Sequence, residues 1–126
     1  MSFHHAVLLI DHQHAKILQF DAEHLQASKV KAHSHHTNQH GSDVRTQHQF
    51  FGEVCDALTG IDEVLVAGSH LAQTDFRHYV EKHRSQVAKQ LVAWDTVDHP
   101  SDGELMALAR KHFNKVDKMS GNAPLK

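Results

Sequence analysis

Five consecutive apolar residues, Ala6-Val7-Leu8-Leu9-Ile10, end abruptly at Asp11. Successive side chains of a strand point to opposite faces, so a run with no polar break must be covered on both sides. This one segment requires a sheet with layers above and below it, and a position at the sheet's centre. The run is much too short to cross a bilayer, which takes about 20 apolar residues, and no basic-then-apolar leader precedes it. A soluble, cytoplasmic protein with no membrane partner is therefore expected. Its 126 residues suit one domain, expected over residues 1–116, with a flexible C-terminal tail over 117–126 that contains Gly121 and Pro124.

The rest of the chain supplies the layers. After the polar break Asp11-His12-Gln13, residues His14 to Phe20 set Ala15, Ile17 and Leu18 among polar residues, as a strand paired by a hairpin does. Gln26 to Ala32 alternates weakly and carries Lys29 and Lys31, which suits an edge strand. Apolar residues vanish from His33 to Ser42, a loop. Ser42 or Asp43 can then cap a helix that sets Val44, Phe51, Val54, Cys55 and Leu58 at helical spacing before Gly60. Val64-Leu65-Val66-Ala67 reads as a strand that gives way at Gly68-Ser69 to a helix with Ala72, Phe76, Tyr79 and Val80 on one face. Leu91 to Trp94 is a further buried strand. Ser101-Asp102-Gly103-Glu104 reads as the capping box of a last helix lined by Leu105, Leu108, Ala109, His112 and Val116. The order is β-β-β-α-β-α-β-α. Right-handed crossovers set the later strands parallel to the first, on the side away from the opening meander. The expected fold class is α/β, a ribonuclease H-like three-layer domain with a five-stranded mixed sheet.

Fifteen histidines set this composition apart. Solvated imidazoles titrate near pH 6.5, so about a quarter are charged at pH 7 and about three quarters at pH 6. A formal charge of −2 with histidine neutral therefore turns positive on mild acidification. It also excludes the strong basic excess of a free-standing nucleic-acid-binding domain, so charge by itself names no partner. The single cysteine, Cys55, excludes an internal disulfide. Its position between Val54 and Leu58 on an apolar helical face predicts a buried, inert thiol.

Three stretches are shared with a known family. They are Ala6 to Ile17, Asp62-Glu63-Val64-Leu65-Val66-Ala67-Gly68, and Asp98-His99-Pro100-Ser101-Asp102-Gly103-Glu104-Leu105. Together they resemble the central domain of archaeal and eukaryotic peptide-chain release factors and of Pelota, the ribosome-rescue relative. The third stretch is similar to the small stand-alone bacterial proteins described as translational machinery proteins. The resemblance covers about residues 5–114. It implies a ribosome- or RNA-associated protein whose partner is the ribosome, rRNA or tRNA. In release factors the loop after the third strand carries a Gly-Gly-Gln tip for peptide release. Here that loop reads His33-Ser34-His35-His36-Thr37-Asn38-Gln39-His40-Gly41, without the tripeptide, so the resemblance implies no release activity and a chain nearer to Pelota. His33, His35, His36, Gln39, His40 and Gly41 become the contacting residues. After the fourth strand the family often has Gly-Pro-Gly and a lysine, where this chain has Gly68-Ser69-His70 and Gln73, which implies a weaker phosphate contact at that turn.

The residues leave other readings open. His33, His35, His36 and His40 could ligate zinc, nickel or copper, although a structural zinc site draws on separate elements and usually on thiolates. The bland reading is a solvated loop that binds metal adventitiously, with no resident cofactor. Gly68, Ser69 and His70 could offer backbone N–H groups to a phosphate, or simply make a strand-to-helix turn. A nuclease of this fold would gather carboxylates around two metal ions. Asp11 stands where the first of them would, but Asp62 and Glu63 start their strand at the opposite end, and Asp95 and Asp98 follow the fifth strand. A turn-stabilising role for Asp11 is favoured, and no catalytic residue is assigned. The expected function is non-catalytic, with a metal-dependent nuclease or a histidine-rich, metal-binding or pH-responsive module as the alternatives.

Overall fold

The computed structural model describes residues 4–21, 24–32 and 40–119. Strand β1 (His5–Ile10) is the middle strand of a five-stranded mixed sheet, as its unbroken apolar run requires. Strand β2 (His14–Phe20) pairs antiparallel with β1, and β3 (Leu25–Lys31) pairs antiparallel with β2. On the other side β4 (Glu63–Gly68) lies parallel to β1, and β5 (Leu91–Thr96) lies parallel to β4. The spatial order is β3-β2-β1-β4-β5, the arrangement expected from a meander followed by right-handed crossovers.

Among the described residues, four helices supply the outer layers: α1 (His40–Ala57), α2 (His70–His83), the short α3 (Ser85–Ala88) and α4 (Asp102–Met119). Alternation along β1 splits the core in two. Ala6, Leu8 and Ile10 join Ile17, Phe50, Phe51, Val54, Phe76 and Val80 under α1 and α2. Val7 faces the other way, with Leu18, Phe20 and Leu65 against Leu105, Met106, Ala109 and Phe113 of α4. Each fully buried side chain of this size stabilises the fold by about 1.5–3 kcal/mol relative to exposure.

Several boundaries differ from expectation for local reasons. Helix α1 begins at His40, upstream of the expected cap at Ser42 or Asp43. Helix α3 was not foreseen, since four residues carry no helical periodicity. Strand β5 is an edge strand, so only Leu91 is buried along it and Val92 is exposed. The buried face of α4 is turned from the expected one: Met106 and Phe113 enter the core, while His112 is only partly covered. Helix α4 continues to Met119, past residue 116. Residues 120–126, and with them most of the expected tail, lie outside the described residues.

Candidate functional site

Open α/β sheets hold ligands beyond the carboxyl ends of their strands. Here the parallel strands β1 and β4 finish together at Ile10 and Gly68. Strand β3 finishes at the same end, because Lys31 is the register partner of His14 and the Ala32 amide donates to the Gln13 carbonyl at 2.8 Å. The histidine-rich segment therefore leaves the sheet beside the β1–β2 turn and enters α1 at His40. Residues 33–39 lie outside the described residues, so His33, His35, His36 and Gln39 are assigned no geometry. His40 and Gly41 belong to the first turn of α1.

The β1–β2 turn is built by Asp11. One carboxylate oxygen, Oδ1, accepts the backbone amides of Gln13 at 2.7 Å and His14 at 2.6 Å, the aspartate turn that the sequence favours. Two helices then clasp the turn. Gln47 of α1 donates from Nε2 to the His12 carbonyl at 3.0 Å, and Asp75 of α2 meets His12 Nε2 at 2.9 Å.

Positive charge collects on the α4 side of the same end. Lys16 pairs across the sheet with Lys29, and His14 with Lys31, so two adjacent rows carry three lysines on one face. Lys16 meets Asp102 at 2.5 Å, whereas Lys29 and Lys31 have no ion pair among the described residues. A net charge near zero thus conceals a locally basic surface at the end of the sheet where β3 finishes.

Gly68, Ser69 and His70 each have a structural account. Gly68 has φ +147°, and a Cβ there would run into the Ile10 carbonyl oxygen. Ser69 caps α2, its hydroxyl accepting the Ala72 amide at 3.3 Å, and His70 opens the helix on the surface. Gln73, set against the family's lysine in the sequence comparison, is buried. Its Nε2 donates to the Gly68 carbonyl at 2.8 Å and the Asp95 carbonyl at 2.7 Å, tying β4 to β5.

The remaining candidates are also located. Asp62 and Glu63 sit at the far end of the sheet, against His4 at 2.6 Å and His5 at 3.1 Å. Ser101 and Glu104 form the reciprocal capping box, with bonds of 2.8 and 3.1 Å. Cys55 is buried, and burial pushes its thiol up to about 11, which keeps it protonated and unreactive at neutral pH. Among the described residues, no group of three histidine, cysteine, aspartate or glutamate side chains is arranged to hold a metal ion. None of their helices is long and apolar enough to cross a membrane.

One cluster escaped the sequence reading. His48 on α1 and Tyr79 and His83 on α2 lie with ring centroids 4.9–5.5 Å apart, at the lining of a cleft between the two helices. The available signal was the spacing of Asp75, His78, Tyr79, Lys82 and His83. It repeats every three or four residues, as a buried helical stripe does, but with polar and aromatic side chains.

No family model matches the sequence, and no curated protein matches it. Solved structures match in fold. Pelota from Archaeoglobus fulgidus aligns with a TM-score of 0.62 at 19% identity, over 96% of this chain and 34% of that one. Pelota from Thermoplasma acidophilum gives 0.58 at 14% identity, over 82% and 31%. The archaeal translation termination factor aRF1 gives 0.59 at 15% identity, over 92% and 39%. This chain spans about a third of the length of these proteins. What it shares with part of each is the fold, a five-stranded mixed sheet flanked by helices.

Proposed function

We propose that this chain is a non-catalytic ribosome- or RNA-associated protein of the kind that serves translation termination and rescue. The observation that carries the reading is the match of 96% of the chain to part of Pelota. It is supported by the basic face of Lys16, Lys29 and Lys31, from whose end the histidine-rich segment departs. His33, His35, His36, Gln39, His40 and Gly41 are the proposed contacts, with Ser69 and His70 at the neighbouring turn. The test is co-sedimentation with ribosomes from a native lysate. The chain is expected in the ribosomal pellet at low salt and in the supernatant at high salt, as counterion release demands. A chain that stays in the supernatant at low salt contradicts the proposal.

Non-catalytic binding has its own expected result. The chain contains no Gly-Gly-Gln, and the Asp11 carboxylate is engaged by two backbone amides of its own turn. Neither peptidyl-tRNA hydrolysis on ribosomes nor cleavage of RNA, DNA or hybrid duplex with magnesium or manganese should exceed the background. Peptide release lost on Gln39→Ala, or nuclease activity lost on Asp11→Asn, would restore an enzymatic reading.

Contact through the histidine-rich segment predicts a pH response. Solvated imidazoles go from mostly neutral at pH 7.5 to mostly charged at pH 6.0. Four of them gain about three charges, and RNA affinity should rise about tenfold or more at moderate salt. Asp11, His14, Lys16, Lys29 and Lys31 are described titratable groups near where β3 ends. Replacing His33, His35, His36 and His40 together with glutamine should remove most of the rise. The measurement is fluorescence anisotropy with labelled rRNA fragments at both pH values, with circular dichroism as the folding control. An unchanged pH response in the quadruple variant would remove the segment from the contact.

A further inference from the structure

The cleft between α1 and α2 has a volume of about 480 Å³, within the roughly 300–1,000 Å³ typical of small-ligand sites. Phe51 forms part of its apolar lining, with Tyr79 at 5.7 Å from it. Around Tyr79 stand His48 at 5.3 Å and His83 at 4.9 Å, with ring planes inclined by 53° and 40°. The two imidazoles are exposed and Tyr79 is half-buried between them. His48, His78 and His83 make no hydrogen bond or ion pair among the described residues, so their nitrogens are available to a ligand.

The cleft offers an anion one cation, while its one carboxylate is turned to a neighbour. Lys82 stands in the lining and has no ion pair among the described residues. The carboxylate of the lining, Asp75, is held by His12 at 2.9 Å. Arg84, next to the cleft's end, is held by Asp56 at 2.9 Å. Exposed imidazole rings beside a tyrosine, and an ammonium group with no ion pair among the described residues, suit a flat heteroaromatic ring joined to a phosphate. They do not suit an aliphatic chain, and no three metal-ligating side chains among the described residues are grouped there to hold a cation. The Asp75 end of the cleft is also the end where His12 and the β1–β2 turn lie.

We propose that the α1–α2 cleft binds an unpaired nucleotide of single-stranded RNA, with its base against Tyr79, His48 and His83 and its phosphate on Lys82. The proposal rests on the RNA-associated reading and adds the form of RNA that is bound. Stacking on aromatic side chains needs a base outside a duplex and tolerates any sequence.

The test is fluorescence anisotropy of the full chain with a fluorescein-labelled eight-nucleotide uridine RNA and with a duplex of equal length. The single strand should bind more tightly than the duplex. Tyr79→Leu keeps apolar packing on Phe51 and should weaken single-strand binding about 5- to 150-fold, the loss seen when one stacking side chain is removed. Lys82→Gln should reduce the salt slope by about 0.7. His48→Asn with His83→Asn, on exposed positions, should also weaken binding and covers the case in which Tyr79→Leu fails to fold. Wild-type affinity in the folded cleft variants, or no single-strand binding by the wild type, overturns the proposal. A cleft that serves a peptide partner would give the first of these results. Ribosome co-sedimentation, run on the same variants, separates the two readings. Cleft variants with wild-type RNA affinity and intact sedimentation overturn the cleft alone, whereas a wild type that fails to sediment contradicts the ribosome-associated function.

Discussion

Replacing Gly68 with alanine is expected to destabilise this protein by about 3 kcal/mol or more, enough to lower its melting temperature by about 10 °C. Two costs combine. Gly68 has φ +147°, a region that side chains rarely adopt and that carries about 1–3 kcal/mol of strain for other residues. The added Cβ would also run into the carbonyl oxygen of Ile10, its register partner across the β1–β4 ladder. That neighbour is backbone, so the clash is relieved only by moving β4 away from the central strand. Gly103 provides the contrast. It lies exposed in the first turn of α4, and a Cβ there meets nothing nearer than Ser101 Oγ at 4.0 Å. Gly103→Ala should be neutral or stabilise by up to about 1 kcal/mol. Thermal unfolding followed by circular dichroism compares the two, and equal melting temperatures would refute the proposed role of the Ile10–Gly68 approach.

Gln73→Leu should cost about 1–3 kcal/mol, although it conserves volume and adds apolar surface to a buried position. The Gln73 amide donates to the carbonyls of Gly68 and Asp95, near the ends of two neighbouring strands. Leucine leaves the Asp95 carbonyl without that donor and the Gly68 carbonyl with the Val97 amide at 3.0 Å, and an unsatisfied buried polar group costs about 1–3 kcal/mol. Gln73→Glu keeps the shape, turns donors into acceptors opposite two carbonyl oxygens, and should cost at least as much. Urea denaturation of the three proteins gives the comparison. A leucine variant as stable as wild type would mean that water replaces the amide without penalty.

Much of the fold was legible because single segments dictated it. The run Ala6 to Ile10 admitted no position but the middle of a covered sheet, and it lies there. Asp11 before a hairpin and Ser101 three residues before Glu104 are local chemistry, complete within four residues, and both form the expected bonds. What could not be read depended on residues far apart in sequence. Gly68 looked like a phosphate-binding or turn glycine, and its strict requirement comes from Ile10, 58 positions away. Gln73 seemed a weakened substitute for a lysine, and its partner Asp95 lies on the next strand. The cleft needs His48 from one helix and Tyr79 and His83 from another, and Tyr79 was assigned to the buried face because its spacing fits one. Helix α3 is stabilised by packing Val87 into the core, not by any pattern in four residues.

The topology also sets a schedule for synthesis. Strand β1 finds its partner β2 within a few residues, but its other edge pairs with β4, whose register places Glu63 opposite His5, a separation of 58 residues. At about 5–20 residues per second, that edge waits about 3–12 s for its partner while the chain is being made. Until then the most apolar segment of the protein is half-paired, a template for strand addition by any neighbouring nascent chain.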